Sequence, residues 1–292
     1  MRSPSAAAHA QRRRLRAVAG HLGPHGSSAS DSDATTLTDP GPLLFPMSRG
    51  QNLGSPQNWG SLPTHNADGL PIEPITDEIR YQFDTRGWVC IPGVIPRERA
   101  AQYREAAQAA FAAGYQWGDA PFHLGDDAPN LASSPVGGIL GELCDHPLLV
   151  GFMHEFLAHP SLSSQSCYGF RQESTHLEVR PAGWGAGNGI SPHNGNGLLR
   201  LPGDGHYYSQ VPGKAAPSLT CVIWELEDIN NSEGGEGEGE GGGGTIFIDG
   251  SHKAAYPVPA STDSIDSPLW SRYSCPAGSL VIFSEATCHS HR

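Results

Sequence analysis

The pattern of apolar and polar positions in the second half of the chain predicts a series of short strands. Apolar residues there form short runs rich in β-branched and aromatic side chains, and turn-forming residues separate the runs. Regular alternation of strands with helices is absent, which disfavours a Rossmann-like sheet and indicates an antiparallel sandwich or barrel. The four predicted strands lie within residues 167–180, 218–229, 244–252 and 278–286.

The first half of the chain has a helical pattern around one strand. Thr76 suits the N-cap of a helix with an acidic first turn, and Gly114 suits the end of an Ala-rich helix. The histidines of the last helix lack the spacing of a metal-binding HExxH helix, so we interpret His146, His154 and His159 as surface or capping residues. The predicted helices cover 76–83, 98–114 and 146–160, and the strand covers 87–95.

Composition narrows the class of protein. Hydrophobic residues make up 37% of the chain, beside 37 glycines and 25 prolines, so part of it should be disordered. The net charge of −12 argues against nucleic-acid binding, which needs basic patches. No apolar run of about 18 residues exists, so we expect no membrane span. The six cysteines form no CxxC pair, which fits reduced thiols in an intracellular protein.

Two regions are predicted to lie outside the packed domain. The first 30 residues contain arginines but no Asp or Glu, which fits either a chloroplast or mitochondrial transit peptide or a tail without a targeting role. A polar linker follows, and a run of Gly and Glu at 230–244 is predicted to be a disordered insertion. We therefore divide the chain into a disordered region, 1–75, and one domain, 76–292.

Two segments hold the candidate chemistry, SPHNGNG at 191–197 and IFSEATCHSHR at 282–292. A non-haem Fe(II) oxygenase binds its metal with two histidines and one carboxylate, leaving positions open for a 2-oxoacid and oxygen. In a jelly-roll barrel, one histidine and the carboxylate come from an HxD motif and the second histidine from a later strand. His193 and His289 have a suitable separation and context for this pair.

The chain resembles the phytanoyl-CoA dioxygenase-like family through four segments in the family's order. These are GWVCIPGVIPRE, TCVIWELEDI, GGTIFIDGSHKAAYPVP and PAGSLVIFSEATCH, and they run from about 83 to 291. The resemblance implies a double-stranded β-helix, of jelly-roll or cupin-like type, with helices near the N-terminus. It also implies Fe(II), 2-oxoglutarate and the hydroxylation of a small or lipid-like organic substrate.

By the same resemblance, His193 is the proximal metal ligand and His289 the distal one. Trp224 falls on a strand whose tryptophan lines the cosubstrate pocket in the family, although a core aromatic is an equal interpretation. Asn194 would lie beside the metal.

The chain departs from the family pattern at the carboxylate of HxD, where it has Gly195. Three alternatives are open. Another carboxylate completes the site, with Asp204, Asp249 or Glu285 as candidates; a halide or water takes the position, as in 2-oxoglutarate halogenases; or the site is metal-poor and inactive. Glu285 lies four residues before His289, an even spacing that puts both on one face of a strand.

A second departure is that the chain stops at Arg292. The family pattern continues with a last strand and an arginine that pairs with the far carboxylate of 2-oxoglutarate. We therefore expect the last strand to be missing from a truncated product, with Arg180 or Arg200 as substitutes for the arginine. Two other classes compete with the oxygenase: a barrel that binds a ligand without catalysis, and another cupin that uses the HxH pair His289 and His291.

Overall fold

The computed structural model describes residues 61–112, 138–164, 167–172, 177, 190–195, 206–231 and 243–291. These residues are mostly β, with few helices. The helices are α1 (Asp77–Arg86), α2 (Arg97–Ala112) and α3 (Pro147–Phe156), and 3-10 turns cover Gly138–Asp145, Pro160–Leu162, Ser251–Lys253 and Ala260–Asp263. The strands are β1 (Trp88–Ile91), β2 (Ser163–Ser164), β3 (Cys167–Tyr168), β4 (Tyr208–Val211), β5 (Lys214–Pro217), β6 (Thr220–Glu225), β7 (Thr245–Ile248), β8 (Trp270–Ser271), β9 (Ser279–Ser284) and β10 (His289–His291).

Local sequence signals set the ends of the helices. The Thr76 hydroxyl accepts a hydrogen bond from the backbone N–H of Ile79 and so caps α1, as predicted. Gly87 ends α1 with φ +85°, a left-handed conformation that favours glycine. Helix α3 is shorter than predicted, because His159 already caps the 3-10 turn that starts at Pro160. His146 caps the start of α3, so the capping interpretation is confirmed for both of these histidines.

A three-stranded antiparallel sheet, in the order β1-β9-β6, has the helices on one face. The face of β9 that is turned toward the helices contributes Leu280 and Ile282, which pack with the aromatic rings of α1 and α3. Phe83 of α1 contacts Phe152 and Phe156 of α3 with centroids 4.8 and 4.7 Å away. Both faces of β9 are buried, so its six residues form an unbroken buried run.

A second three-stranded antiparallel sheet has the order β10-β7-β8. Phe247 of β7 stacks on Trp88 of β1 at 4.7 Å between centroids and lies 5.1 Å from the ring of Phe283 on β9. The residues between the two sheets therefore form a shared apolar layer, which we call the inner layer. It consists of Trp88, Phe247, Tyr273, Cys275, Val281 and Phe283, with Cys90, Cys221, Ile223 and Ile229 at its margin.

Several elements were not predicted from the sequence, among them a hairpin and a turn. Strands β4 and β5 form a hairpin around Gly213, which has φ +81°. Residues 61–75, which the sequence analysis assigned to the disordered region, contain a turn closed by a bridge between His65 and Pro71. The buried carboxylate of Asp145 accepts a hydrogen bond from the backbone N–H of Ala67 in that turn.

Several sequence predictions lie outside the described residues. These are the transit peptide and linker within 1–60, the helix end at Gly114, most of the strand at 167–180, the Gly/Glu run from 232 to 242, and Asp204, Arg180, Arg200 and Arg292. Among the residues that the structure does describe, no helix is long and apolar enough to cross a membrane.

Candidate metal site

The two histidines singled out in the sequence lie side by side. His193 and His289 form an antiparallel backbone bridge, in which the N–H of His193 donates to the carbonyl of His289 at 3.0 Å. The N–H of His289 donates back to the carbonyl of His193 at 2.8 Å. Their ring centroids are 4.4 Å apart, so segments almost a hundred positions apart in the chain present two imidazoles at one place.

The register of β10 directs the His289 side chain into the inner layer. His289 is paired with Phe247, and directly paired residues of antiparallel strands project from the same face. The His289 ring is 4.6 Å from that of Phe283 and 6.5 Å from that of Phe247. Only 3% of His289 is exposed, whereas His193 is half-buried. The pair therefore has one ring in the core and one nearer solvent.

Each imidazole is fixed by a hydrogen bond between its Nδ1 and the backbone carbonyl two residues earlier. Nδ1 of His193 lies 2.7 Å from the carbonyl oxygen of Ser191, and Nδ1 of His289 lies 2.9 Å from that of Thr287. A carbonyl oxygen only accepts, so in each ring Nδ1 carries the proton and Nε2 is left as the acceptor. Metal-ligating histidines are held in this way, with the second nitrogen donating to a carbonyl or carboxylate. Each ring thus offers Nε2 as a metal ligand.

The charge state of His289 also suits a ligand. Burial lowers the pKa of His289, and the neighbouring His193 lowers it further, while the charge of Glu285 and the bond to Thr287 act in the opposite direction. A lower pKa favours the neutral imidazole, which is the form that binds a metal.

At position 195, where a carboxylate was expected, a histidine ring fills the space. A Cβ added to Gly195 would overlap the imidazole of His206, with Nδ1 only 2.8 Å away. The backbone N–H of Gly195 donates to the carbonyl of Glu285 at 2.8 Å, which fixes this segment beside the end of β9. Gly195 is therefore a packing requirement of the site, and any side chain there would displace His206.

The remaining third-ligand candidates differ in their surroundings. Asp249 is engaged elsewhere: its carboxylate accepts from Arg86 Nε at 3.0 Å and from Trp88 Nε1 at 2.6 Å. Glu285 accepts a hydrogen bond from Sγ of Cys221 at 2.7 Å. Within the described part of the chain, no group of three or more His, Cys, Asp or Glu side chains is close enough to hold a metal. The geometry on hand is therefore a two-histidine site.

Trp224, which the sequence analysis placed either in a cosubstrate pocket or in the core, contacts residues of the helical region. The indole Nε1 donates to the carbonyl of Leu143 at 3.1 Å, and the ring packs edge-on against His146 at 5.4 Å. Alternation along β6 directs Cys221 and Ile223 to the inner layer and Trp224 to the opposite, helix-covered face. Trp224 is a half-buried aromatic packed against the core, and its role in a cosubstrate pocket stays a prediction.

Asn194 lies between His193 and Gly195 in the chain. It is 1% exposed, and side-chain alternation along an extended segment directs it to the opposite face from His193. A role in cofactor binding stays a prediction for this residue. His291, the second histidine of the HxH pair, has its ring centroid 6.3 Å from that of His193.

Sequence reasoning missed His206, Cys221 and the two carbonyls that fix the imidazoles. His206 follows a segment without periodicity, and nothing in the sequence indicates that its ring packs on Gly195. The repeated spacing was the one available signal, because both histidines bond a carbonyl two residues earlier, at Ser191 and Thr287.

No protein-family model matches this chain. No curated protein matches it in sequence either. Among solved structures, HygX from Streptomyces hygroscopicus is similar over 75% of this chain and 80% of that chain, with 21% identity and a TM-score of 0.48. SnoK, from nogalamycin biosynthesis, is similar over 75% of this chain and 78% of its own, with 16% identity and a TM-score of 0.39. SnoN, also from nogalamycin biosynthesis, is similar over 74% of this chain and 73% of its own, with 16% identity and a TM-score of 0.37.

SnoK is a non-haem α-ketoglutarate-dependent carbocyclase and SnoN a non-haem α-ketoglutarate-dependent epimerase. HygX has been solved with iron, with nickel and 2-oxoglutarate, and with hygromycin B in addition. Iron and 2-oxoglutarate, the cofactors expected from the sequence, are thus both present in structures of these neighbours. Because the TM-scores are below 0.5, the likeness assigns no activity to this chain, and the phytanoyl-CoA dioxygenase-like resemblance stays a prediction.

Proposed function

We propose that this protein is an Fe(II)- and 2-oxoglutarate-dependent oxygenase that hydroxylates a small or lipid-like organic substrate on a jelly-roll barrel. One observation carries the proposal. His193 and His289 meet as backbone-paired neighbours, and each has its Nδ1–H held by a carbonyl so that Nε2 is the acceptor. Two pre-oriented imidazoles from separate segments are what a non-haem Fe(II) site requires of its histidines.

The donor set fits a divalent transition metal. Imidazole suits iron, nickel, copper and zinc, and the two rings lie 4.4 Å apart between centroids. His289 is held neutral by burial, which lowers its pKa. Iron with 2-oxoglutarate would supply the oxidising power to hydroxylate a C–H bond. His193 and His289 are the residues that would hold the metal.

The protein's own contribution is orientation and the exclusion of water. The paired backbone bonds between the two segments fix the histidines in one register. The rings of Phe283 and Phe247 flank His289 and close its side of the site to solvent. The half-buried ring of His193 marks the side from which a cosubstrate and substrate would enter.

A barrel without catalysis is the second candidate, and Gly195 is the observation that favours it, since the expected carboxylate is missing. The halogenase-like variant is disfavoured, because it needs free space beside a small residue at 195. The ring of His206 fills that space.

The full chain, prepared without oxygen and loaded with Fe(II), tests the proposal through the conversion of 2-oxoglutarate to succinate on addition of oxygen. We expect slow turnover without a second substrate and faster turnover with a member of a lipid, amino-acid and alkaloid panel. His193→Ala and His289→Ala should abolish turnover and metal binding. His65→Ala, an exposed histidine outside the site, is the matched control. Metal binding without any turnover would favour the non-catalytic barrel.

A further inference from the structure

Two cysteines from distant parts of the chain meet in the inner layer. Cys90 lies on β1, and Cys275 lies between β8 and β9. Alternation along β1 directs Cys90, like Trp88, into the inner layer, where Cys275 is only 6% exposed. The thiols of the two cysteines are hydrogen-bonded to each other. The fold therefore brings two sulfur atoms from separate segments into contact.

The backbone around both cysteines is held by hydrogen bonds. Cys90 is paired with Val281 in the ladder between β1 and β9. Cys275 forms a backbone bridge with Ile229, in which each N–H donates to the other carbonyl, at 2.9 and 3.0 Å. Cys275 also lies on the stretch that leaves β8, in one sheet, and enters β9, in the other. The contact of the thiols thus joins the first sheet to the segment that connects the two sheets.

Another cysteine at the margin of the inner layer, Cys221, has different surroundings. Its Sγ donates to the carboxylate of Glu285 at 2.7 Å, and burial raises the pKa of its thiol well above the usual range. A thiol that stays protonated is a poor nucleophile. Cys221 is therefore a matched control, a half-buried cysteine of the same layer whose sulfur faces a carboxylate instead of a thiol.

The two paired thiols differ in how readily they ionise. The hydrogen bond from Cys90 lowers the pKa of Cys275, while burial and the charge of Glu225 act in the opposite direction. The same hydrogen bond, together with burial, raises the pKa of Cys90. The thiolate is the form of cysteine that acts as a nucleophile. Cys275 is therefore the nucleophile of the pair, and the half-buried Cys90 is the thiol that completes the reaction.

We propose that Cys90 and Cys275 form a reversible disulfide when a peroxide oxidises the protein. The Cys275 sulfur attacks one peroxide oxygen and the O–O bond breaks, so the sulfur is oxidised to a sulfenic acid and the other oxygen leaves as water. The Cys90 sulfur then attacks the Cys275 sulfur and the S–O bond breaks, so the Cys90 proton leaves with the hydroxide as a second water. Two thiols and one hydrogen peroxide thus give one disulfide and two waters. A dithiol reduces the disulfide again by thiol–disulfide exchange.

The disulfide fixes the connection between the two sheets. Thiols that are already in contact need little movement of the backbone to form the bond, and a bond between residues far apart in the sequence restricts the unfolded chain. The oxidised protein is therefore more resistant to unfolding than the reduced protein. The inference is independent of the metal and of the oxygenase activity, since neither cysteine is one of the residues assigned to them.

Oxidation of the full chain with hydrogen peroxide tests the pair. The protein is reduced with dithiothreitol, freed of it, treated with a few equivalents of peroxide in the presence of a chelator, and digested without reductant. We expect the loss of two of the six thiols, a mass decrease of about 2 Da, and a peptide that links Cys90 to Cys275. Dithiothreitol should restore both thiols. Oxidation should raise the midpoint of thermal unfolding by roughly 5–15 °C.

Single variants distinguish the roles of the two cysteines. In Cys90→Ser, Cys275 should stop at the sulfenic acid, which dimedone labels. In Cys275→Ser, Cys90 should stay unlabelled, because its thiol remains protonated. Cys221→Ser should form the same disulfide as the wild type.

Retention of all six thiols by the folded wild type would overturn the proposal, and so would a main product that links any other two cysteines. Labelling of Cys90 in Cys275→Ser, without labelling of Cys275 in Cys90→Ser, would overturn the assignment of Cys275 as the nucleophile. The mapping of the disulfide uses the wild type, so it decides the proposal even if a serine variant does not fold.

Discussion

The imidazole of His206 lies against the Cα of Gly195, in the space that a side chain at position 195 would occupy. This contact explains the missing carboxylate in steric terms. A carboxylate side chain at position 195 would meet the ring of His206. Introducing one without overlap therefore requires a change at both positions.

Gly195→Asp alone should destabilise the protein, since the His206 ring must move away. Overpacking of this kind costs about 1–3 kcal/mol. The double variant Gly195→Asp/His206→Ala removes the obstacle and should recover most of the loss. The free energy of unfolding in urea measures both effects, with His206→Ala as the control for loss of the ring. Wild-type stability in the single Asp variant would show that the ring is not a constraint.

A substitution at Trp224 should affect stability and leave the metal site unchanged. Trp224→Phe removes the hydrogen bond from Nε1 to the Leu143 carbonyl and part of the ring that packs under the helices. We expect a loss of about 1–2 kcal/mol in the free energy of unfolding, the sum of a buried hydrogen bond and reduced packing. Co(II) affinity should stay within about 2-fold, because the indole is not in contact with either histidine. A drop in Co(II) affinity at unchanged free energy of unfolding would indicate that Trp224 is part of the metal site.

The sequence was sufficient for the elements whose signal is local. The cap at Thr76, the strand after Gly87 and the continuous apolar run of β9 follow from capping and periodicity alone. The pairing of His193 with His289 was reachable because each lies in a segment with a recognisable pattern. Signals of this kind can be recognised in the sequence because they depend only on residues that are neighbours in the chain.

The remaining features of the fold and of the site depend on contacts between segments that are distant in the sequence. Alternation along β6 separates Trp224 from Cys221, but both faces of the strand are covered, so the pattern cannot tell which face meets the site. The contact of His206 with Gly195 joins two loops, and no periodicity reports it. The turn near Asn66 was missed for the same reason, since its order comes from Asp145.

Acidification should destabilise the protein through His252, the 1% exposed histidine of the 3-10 turn after β7. Burial lowers the pKa of His252 to about 4, and the nearby Lys253 adds to this, while the carbonyl of Asp84 and the charges of Asp84 and Asp249 oppose it. The unfolded chain, with an ordinary histidine pKa of about 6.5, binds the proton more readily than the folded one. Stability is therefore full above that value and falls as the pH drops from there to about 4.

The contribution of His252 over this interval is up to about 3 kcal/mol, from the difference between the two pKa values. His252→Gln keeps a neutral donor for the Asp84 carbonyl, which His252 Nε2 contacts at 3.0 Å, but it does not titrate. The difference in unfolding free energy between wild type and variant, measured from pH 7.5 to about 4, isolates this group from the carboxylates common to both. Parallel curves for the two proteins would show that His252 does not contribute to the acid sensitivity.

Asp145 should control whether the segment before α1 stays folded onto the domain. Its side chain is fully buried and accepts hydrogen bonds at Oδ2 from the backbone N–H of Ala67 at 3.1 Å and from the hydroxyl of Tyr168 at 2.8 Å. Asp145→Ala leaves both donors buried without this acceptor, at a cost of about 3 kcal/mol. Tyr168→Phe removes one of the two bonds and should cost about 1 kcal/mol. Hydrogen exchange of the amides at 66–72 should accelerate strongly in Asp145→Ala and little in Tyr168→Phe. Equal protection in wild type and Asp145→Ala would mean that the turn is held by its own backbone bonds, such as that from the N–H of Asn66 to the carbonyl of Leu70 at 2.8 Å.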